Sequence, residues 1–406
     1  MHSWMVLGFI ACSSTTSLRT LEDTRPPYAE AVAPPGEADR PSAVPTEAAH
    51  PDSDRVSDAF LYRDGVIHEL VLTLDESSLA SLREAPTVDV MAELTVNGNP
   101  VLDPVGVHLK GTASLRSIDD KAAFKIDFHQ WNPTARFHGV KRLTLNNMVQ
   151  DPTMLREHAY YWLCRELGVP APRHGYARIW VNGVEFGLYG IVESFDEQLV
   201  DRLWPLDDEG ALYEGVGNDF SFRDDDYELQ EGIDALAMAP LVELVEQTPP
   251  DAWLEMLEAN FDFDALLGYA ALDIVTGNPD GYALNRNNYY VYGAPLAGKW
   301  TLLPSGVDRS FLETGGIRSE LHPLEGLLVT GCLADPACGP LLDARIRATA
   351  DAFDRLDLLD HLTEMERLVG PLCEADPRRE LECRSDELLP FVAARAQAIR
   401  EELDAD

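Results

Sequence analysis

Twice in this chain a Val-Asn-Gly tripeptide interrupts a run of alternating apolar residues, in ELTVNGNPV (93–101) and in YARIWVNGVEFGLYGIVES (176–194). Asn-Gly provides the two positive-φ residues of a tight hairpin turn, and period-two alternation gives each flanking strand one face for a core. Hairpins join neighbouring strands antiparallel, which argues against a doubly wound parallel sheet. VIHELVLTL (66–74), AFKIDF (123–128) and KRLTLNN (141–147) read as further strands, and DESSLASLRE (75–84) as a short capped helix. In DPTMLREHAYYWLCRELG (151–168), Asp151 is placed to cap a helix, Pro152 to open it and Gly168 to close it. Two helices are predicted between 250 and 276, and the last 65 or so residues are mostly helical in pattern. Strands first and helices later give an α+β fold class, a mixed or antiparallel strand-rich part with hairpins followed by a helical part.

Charge narrows the partners. The 406 residues carry 70 acidic against 32 basic side chains, a formal net charge of −38. Such a surface repels nucleic acid and anionic lipid, and it repels a polyphosphate unless a local basic exception exists. One exists. Of five lysines, Lys110, Lys121, Lys125 and Lys141 fall between 110 and 141, and with Arg116, Arg136 and Arg142 they make seven basic residues against three acids. The stretch is either a solvated face or a phosphate-facing surface. Lys125 alternates with Phe124 and Ile126, so its side chain leaves the face that those two bury.

The N-terminal MHSWMVLGFIACSS resembles a lipoprotein-type signal, residues 1–12, ending at a lipidated Cys12, although Phe9 stands where Leu is usual. Residues 13–57, rich in Pro, Ala and Glu, read as a disordered tether. The folded part is then 58–406: a strand-rich lobe (58–206), an acidic irregular loop (207–232) and a helical lobe (233–406). No run reaches the roughly 18–20 apolar residues of a membrane-spanning helix. Any membrane attachment would therefore be through the lipid, and the expected location is extracytoplasmic, at the cell envelope. The spacing of Cys332/Cys338 and Cys373/Cys383 suits two short disulfides in an oxidising compartment better than a zinc ribbon. Cys164 reads as a buried free thiol.

The segment NPDGYALNRNNYYVYGAPLAGKWTLLPSGVDRSF (278–311) contains a strand–turn–strand pattern. A hairpin there brings its open ends together, with Asp280 and Asn285 on one side and Asp308 on the other. Phosphoryl transfer needs such a set: one carboxylate to orient and deprotonate the attacking hydroxyl, and an amide and a second carboxylate to hold Mg²⁺. Taken singly, each residue has a plainer use. Pro279-Asp280-Gly281 is turn chemistry, Asn285, Asn287 and Asn288 can cap loop carbonyls, and Asp308 can pair with Arg309 or another arginine. A glycosidase carboxylate pair would need a defined separation that the spacing does not give.

Six blocks in order resemble the spore coat protein H (CotH) kinase family, which is atypical protein kinase-like. They are VGVHLKGTASLR, KAAFKIDF, FHGVKRLTLNN, DPTMLREHAYYWLCRELGVPAPR, YARIWVNGVEFGLYGIVESFD and the 278–311 segment. The resemblance implies transfer of the ATP γ-phosphate to Ser or Thr of a protein, with Mg²⁺ (or Mn²⁺). It implies Asp280 as the catalytic carboxylate, Asp308 as the metal-binding one, and Asn285 or the Asn287/Asn288 pair as amide ligand. Lys110, Lys121 and Lys125, with Arg116 in the same basic stretch, would face the nucleotide, and Glu193 would pair a lysine or touch the nucleotide. Two positions depart from the family. Lys110 stands where many relatives have Arg, and Gly306 stands where many have another Asp. There is no GxGxxG loop and no HRD triplet. The alternative is a catalytically degenerate fold used as a surface binding or assembly module.

Overall fold

The computed structural model describes residues 58–221, 227–234, 236–317, 323–384 and 387–405. The expected signal with Cys12 and the expected tether lie outside the described residues. The chain is α+β. Strands β1 (Ile67–Thr73), β2 (Val90–Val96), β3 (Asn99–Pro100), β4 (Val105–Lys110), β5 (Ala123–Asp127), β6 (Arg142–Asn146), β7 (His174–Val181) and β8 (Val184–Glu193) form one sheet in the order β1-β7-β8-β6-β5-β4-β2-β3. β1 also pairs with β2, so the sheet closes on itself like a barrel. Both Val-Asn-Gly turns lie where the alternation puts them, between β2 and β3 and between β7 and β8, with Asn97 at φ 51° and Asn182 at φ 49°.

The closure was not foreseeable locally. It rests on β1 running parallel to β7, from Ile67 opposite Tyr176 to Leu72 opposite Val181. Inside the barrel lie Leu70, Leu72, Val107, Leu109, Phe124, Ile126, Leu143, Leu145, Ile179 and Ile191. Alternation then fixes what points outward: on β4 and β5, His108, Lys110 and Lys125 lie on the outer face, with Lys125 opposite His108 and Thr144.

The helices are α1 (Glu76–Glu84), α2 (Arg156–Leu167), α3 (Glu197–Leu203), α4 (Met238–Glu246), α5 (Trp253–Asn260), α6 (Phe263–Thr276), the single turn α7 (Tyr282–Asn285), α8 (Leu327–Ala334), α9 (Gly339–Arg355), α10 (Leu358–Ala375) and α11 (Leu388–Ala405). A second sheet, in the order β10-β9-β11-β12, comprises β9 (Ala211–Gly215), β10 (Glu228–Gly232), β11 (Tyr289–Ala294) and β12 (Lys299–Pro304). Its first two strands fall in the stretch expected to be an irregular acidic loop. They are strands because β9 is the central partner, with Leu212, Tyr213 and Ala211 buried and paired to β11. Residues 222–226 of that stretch lie outside the described residues.

Helix α2 begins four residues later than its Asp-Pro start suggests. The Asp151 carboxylate accepts the Thr153 N–H and hydroxyl and also the Arg156 N–H, winding a separate turn. Met154 sits at φ 54°, which no α-helix tolerates. Gly168 ends the helix in the left-handed conformation as expected. Cys332–Cys338 and Cys373–Cys383 are disulfides, and Cys164 is buried and free.

Candidate active site

The outer face of the barrel around β4, β5 and β6 meets the start of α2, and there charged side chains are buried. Glu157, in the first turn of α2, is 2% exposed. Its Oε1 accepts from Asn146 Nδ2 at 2.8 Å, and Asn146 Oδ1 accepts from Lys110 Nζ at 2.6 Å. Asn146 therefore bridges a lysine and a glutamate from opposite ends of a 48-residue segment, 110 to 157. Glu157 Oε2 is buried without a hydrogen-bond partner, with His174 Nε2 3.8 Å away.

Asp308 enters the same cluster on a 3-10 turn (Val307–Arg309) that packs on α2. Burial, and then the charge of Asp308, push the Glu157 carboxyl up to about 8, against Lys110 and Asn146. Asp308 is itself raised to about 6, by burial first and then by Asp151 and Asp280, with Lys110 opposing. Burial and the neighbouring Lys125 hold Lys110 below its ordinary value, while Glu157, Asp308 and Glu214 pull the other way. Lys125 has no hydrogen-bond or ion-pair partner among the described residues.

The loop after α6 provides Asp280. Asn285 and Asn287 both donate to its Oδ1, at 3.1 and 3.0 Å, and Asn288 donates to its backbone carbonyl at 3.1 Å. Arg309 approaches Asp280 Oδ2 at 4.0 Å, so the arginine beside Asp308 leans on the other carboxylate. Asp280, Asn285, Asn288 and Asp308 are thus brought to one place. Gly306 has a physical reason to lack a side chain: at φ 54°, a Cβ there would lie 2.9 Å from the Asn288 side chain. An Asp at 306 would have to displace Asn288.

Other expected residues go elsewhere. Lys121 is 1% exposed and donates to Asp376 at 2.5 Å, in a buried pair beside the start of β5. Arg116 grips Glu380 through Nε and Nη2, at 2.5 and 2.7 Å. Glu193 pairs with no lysine. It is buried between Arg173 and Arg202, and although burial alone would raise its pKa, the two guanidiniums bring it below the ordinary range. Each of these charges is paired with an opposite charge outside the Lys110 cluster. Glu157, which is linked to Lys110 through Asn146, was missed, as was Asn146 itself. A usable signal existed: Glu157 is an acid in the first turn of a helix that continues in the largely apolar and aromatic HAYYWLC.

Residues 107–399 match the family model described as CotH kinase protein, well over half of the chain. The chain belongs to the CotH kinase family. It is 25% identical over 206 residues to "Inner spore coat protein H" of Bacillus subtilis (strain 168), covering 47% of this chain and 55% of that protein. It is also 25% identical over 186 residues to "Invasin CotH3" of Rhizopus delemar (41% of this chain, 31% of that one) and 24% identical over 188 residues to "Invasin CotH2" of the same organism (41% and 31%). The chain spans about half or less of the length of these relatives. The matched region includes every residue of the Lys110–Asn146–Glu157–Asp280–Asp308 set.

The cluster can be tested as a cation site on its own atoms. A buried carboxylate oxygen without a donor, beside a second carboxylate that raises its pKa, is a place where a divalent cation would be favoured. Among the described residues no group of three or more His, Cys, Asp or Glu side chains could hold a metal alone. A Mg²⁺ ion held here would have to take one or two of these carboxylates and complete its shell with water or phosphate oxygens.

Proposed function

We propose that this CotH kinase family protein transfers the γ-phosphoryl group of ATP to Ser or Thr of an extracytoplasmic protein, with Mg²⁺ or Mn²⁺. The observation that carries the proposal is the convergence of Lys110, Glu157, Asp280 and Asp308 on one partly buried cluster around the fully buried Glu157, whose Oε2 has no donor. Asp280, oriented by two asparagine amides, would take the proton of the attacking hydroxyl. Asp308 would hold the metal ion, with an asparagine amide oxygen and phosphate oxygens as further ligands; the ion neutralises charge on the transferring group. Lys110, kept in place by Asn146, and the unpaired Lys125 would face the phosphates. Glu157 would set the position and charge of Lys110. Spore-coat and invasin names among the relatives, and two disulfides, support an extracytoplasmic site of action. We further propose that Cys12 is the point of lipid attachment.

The second reading is a binding or assembly module that no longer turns over, and Gly306 favours it by leaving one carboxylate fewer near the metal position. Incubating residues 56–406 with radiolabelled ATP and Mg²⁺ or Mn²⁺ separates the two. The kinase reading expects label on the protein or on an added protein, reduced about 10²–10⁴-fold in Asp280→Ala, the range of a lost general base. No label from wild type, with no ATP-dependent rise in melting temperature, favours the module.

A further inference from the structure

Asp273, in the last turn of α6, has no exposed surface. Its Oδ1 accepts from the Tyr160 hydroxyl at 2.7 Å and from Asn278 Nδ2 at 2.9 Å, and its Oδ2 accepts the Ala283 N–H at 3.1 Å. Tyr160 lies on α2, three residues beyond Glu157. Asn278 and Ala283 flank Asp280. The loop closes tightly over this carboxylate: a Cβ on Gly281 would lie 2.5 and 2.6 Å from its two oxygens. The C-terminal end of a helix is an unfavourable place for a buried negative charge, so this carboxylate depends on the donors around it. Burial raises its carboxyl to about 6 even with these donors.

We propose that Asp273 is a positioning residue that ties the helix bearing Glu157 to the loop bearing Asp280, so that the two halves of the site are held in one register. The inference rests on the kinase reading for its catalytic consequence, but not for the tether itself. Asp273→Asn keeps the volume and leaves one acceptor oxygen for the two side-chain donors and the Ala283 N–H. Tyr160→Phe cuts only the link to α2.

With the purified full chain, phosphoryl transfer and hydrogen exchange are measured for wild type, both single variants and the double variant. Expected for Asp273→Asn is a kcat about 10- to 100-fold lower, the rate equivalent of one or two lost hydrogen bonds to a charged group, with the KM for ATP nearly unchanged. Tyr160→Phe should give a smaller fall in kcat, and the double variant should be no worse than Asp273→Asn alone. Amide protection should drop together in 156–163 and 278–286. Unchanged kcat per folded molecule, or strictly additive single effects, overturns the inference. If wild type transfers no phosphate, the kinase reading falls, and exchange alone decides: coordinated loss of protection in both segments supports the tether, and loss in only one refutes it.

Discussion

Two lysines from the same basic stretch, eleven residues apart, reach opposite ends of what a buried charge can be. Lys121 Nζ sits on Asp376, and Asp376 also accepts the Leu188 and Arg378 N–H groups, so the carboxylate's partners are all provided by the fold. Lys110 bonds a neutral amide, while the glutamate behind that amide keeps a buried oxygen with no donor and shares its surroundings with Asp308. A closed ion pair has nothing left to offer a ligand, and an open set with an unpaired carboxylate oxygen does. The comparison therefore separates a structural lysine from a candidate functional one by what surrounds their partners, one lysine fully buried and the other half-buried in the same strand-rich sequence.

The sharpest way to break that comparison is to remove each lysine without changing its volume. Lys121→Met strands a buried carboxylate, and the expected loss is about 3–5 kcal/mol of unfolding free energy. Lys110→Met should cost about 1 kcal/mol or less, because Glu157 already lies high enough to take up a proton in place of the lost cation. The same Lys110→Met should remove most phosphoryl transfer. Urea denaturation and label incorporation, measured side by side, should give crossed results. Equal stability losses would mean that Lys110 is as structural as Lys121.

Next in size is the Cys373–Cys383 disulfide, whose partners are 10 residues apart. It closes the loop that presents Asp376 to Lys121 and Glu380 to Arg116, and that lays Arg378 over the Phe186 ring. Replacing both cysteines with serine should cost about 3 kcal/mol through the unfolded chain. The cost should be less than additive with Lys121→Met, because both changes loosen one clasp. Nucleotide affinity should change little. Full additivity would show that the loop stays docked without its covalent bond.

The sequence made one half of this contrast legible and concealed the other. Asp280, Asn285 and Asp308 could be grouped because they lie within one hairpin's reach, where spacing translates into proximity. The two hairpins and the closing glycine of α2 were legible for the same reason: turn chemistry is local. The parallel pairing of β1 with β7, the bridge from Lys110 through Asn146 to Glu157, and the capture of Lys121 by Asp376 span tens to hundreds of residues, and no residue type announces its distant partner. Charge composition was informative only in part. It marked the basic stretch, but Lys121 and Arg116 spend their charge on acids near residue 380. Glu193 misled because an acid at a strand end is equally suited to a lysine or to two arginines.

The smallest effect is also the most discriminating, because it reads the open set directly. Glu157 stands at about 8 against an ordinary 4.5, and Asp308 at about 6 against 3.8. Between those limits the folded protein binds more protons than the unfolded chain, so stability falls as pH rises. The Asp308 contribution is lost between about pH 4 and 6, and the Glu157 contribution continues to about pH 8. Each has a slope of at most about 1.4 kcal/mol per pH unit. Glu157→Gln should flatten the upper part, from pH 6 to 8, and reduce but not abolish the slope below pH 6, where Asp308 still titrates. Mg²⁺ with a nucleotide should flatten it in wild type, since a bound cation favours the ionised carboxylates. Urea denaturation at pH 5.5, 6.5 and 7.5 measures all three cases. A wild-type slope equal to that of Glu157→Gln would mean that Glu157 already has its compensation within the fold, and Lys110 would then belong with Lys121 as part of a closed pair.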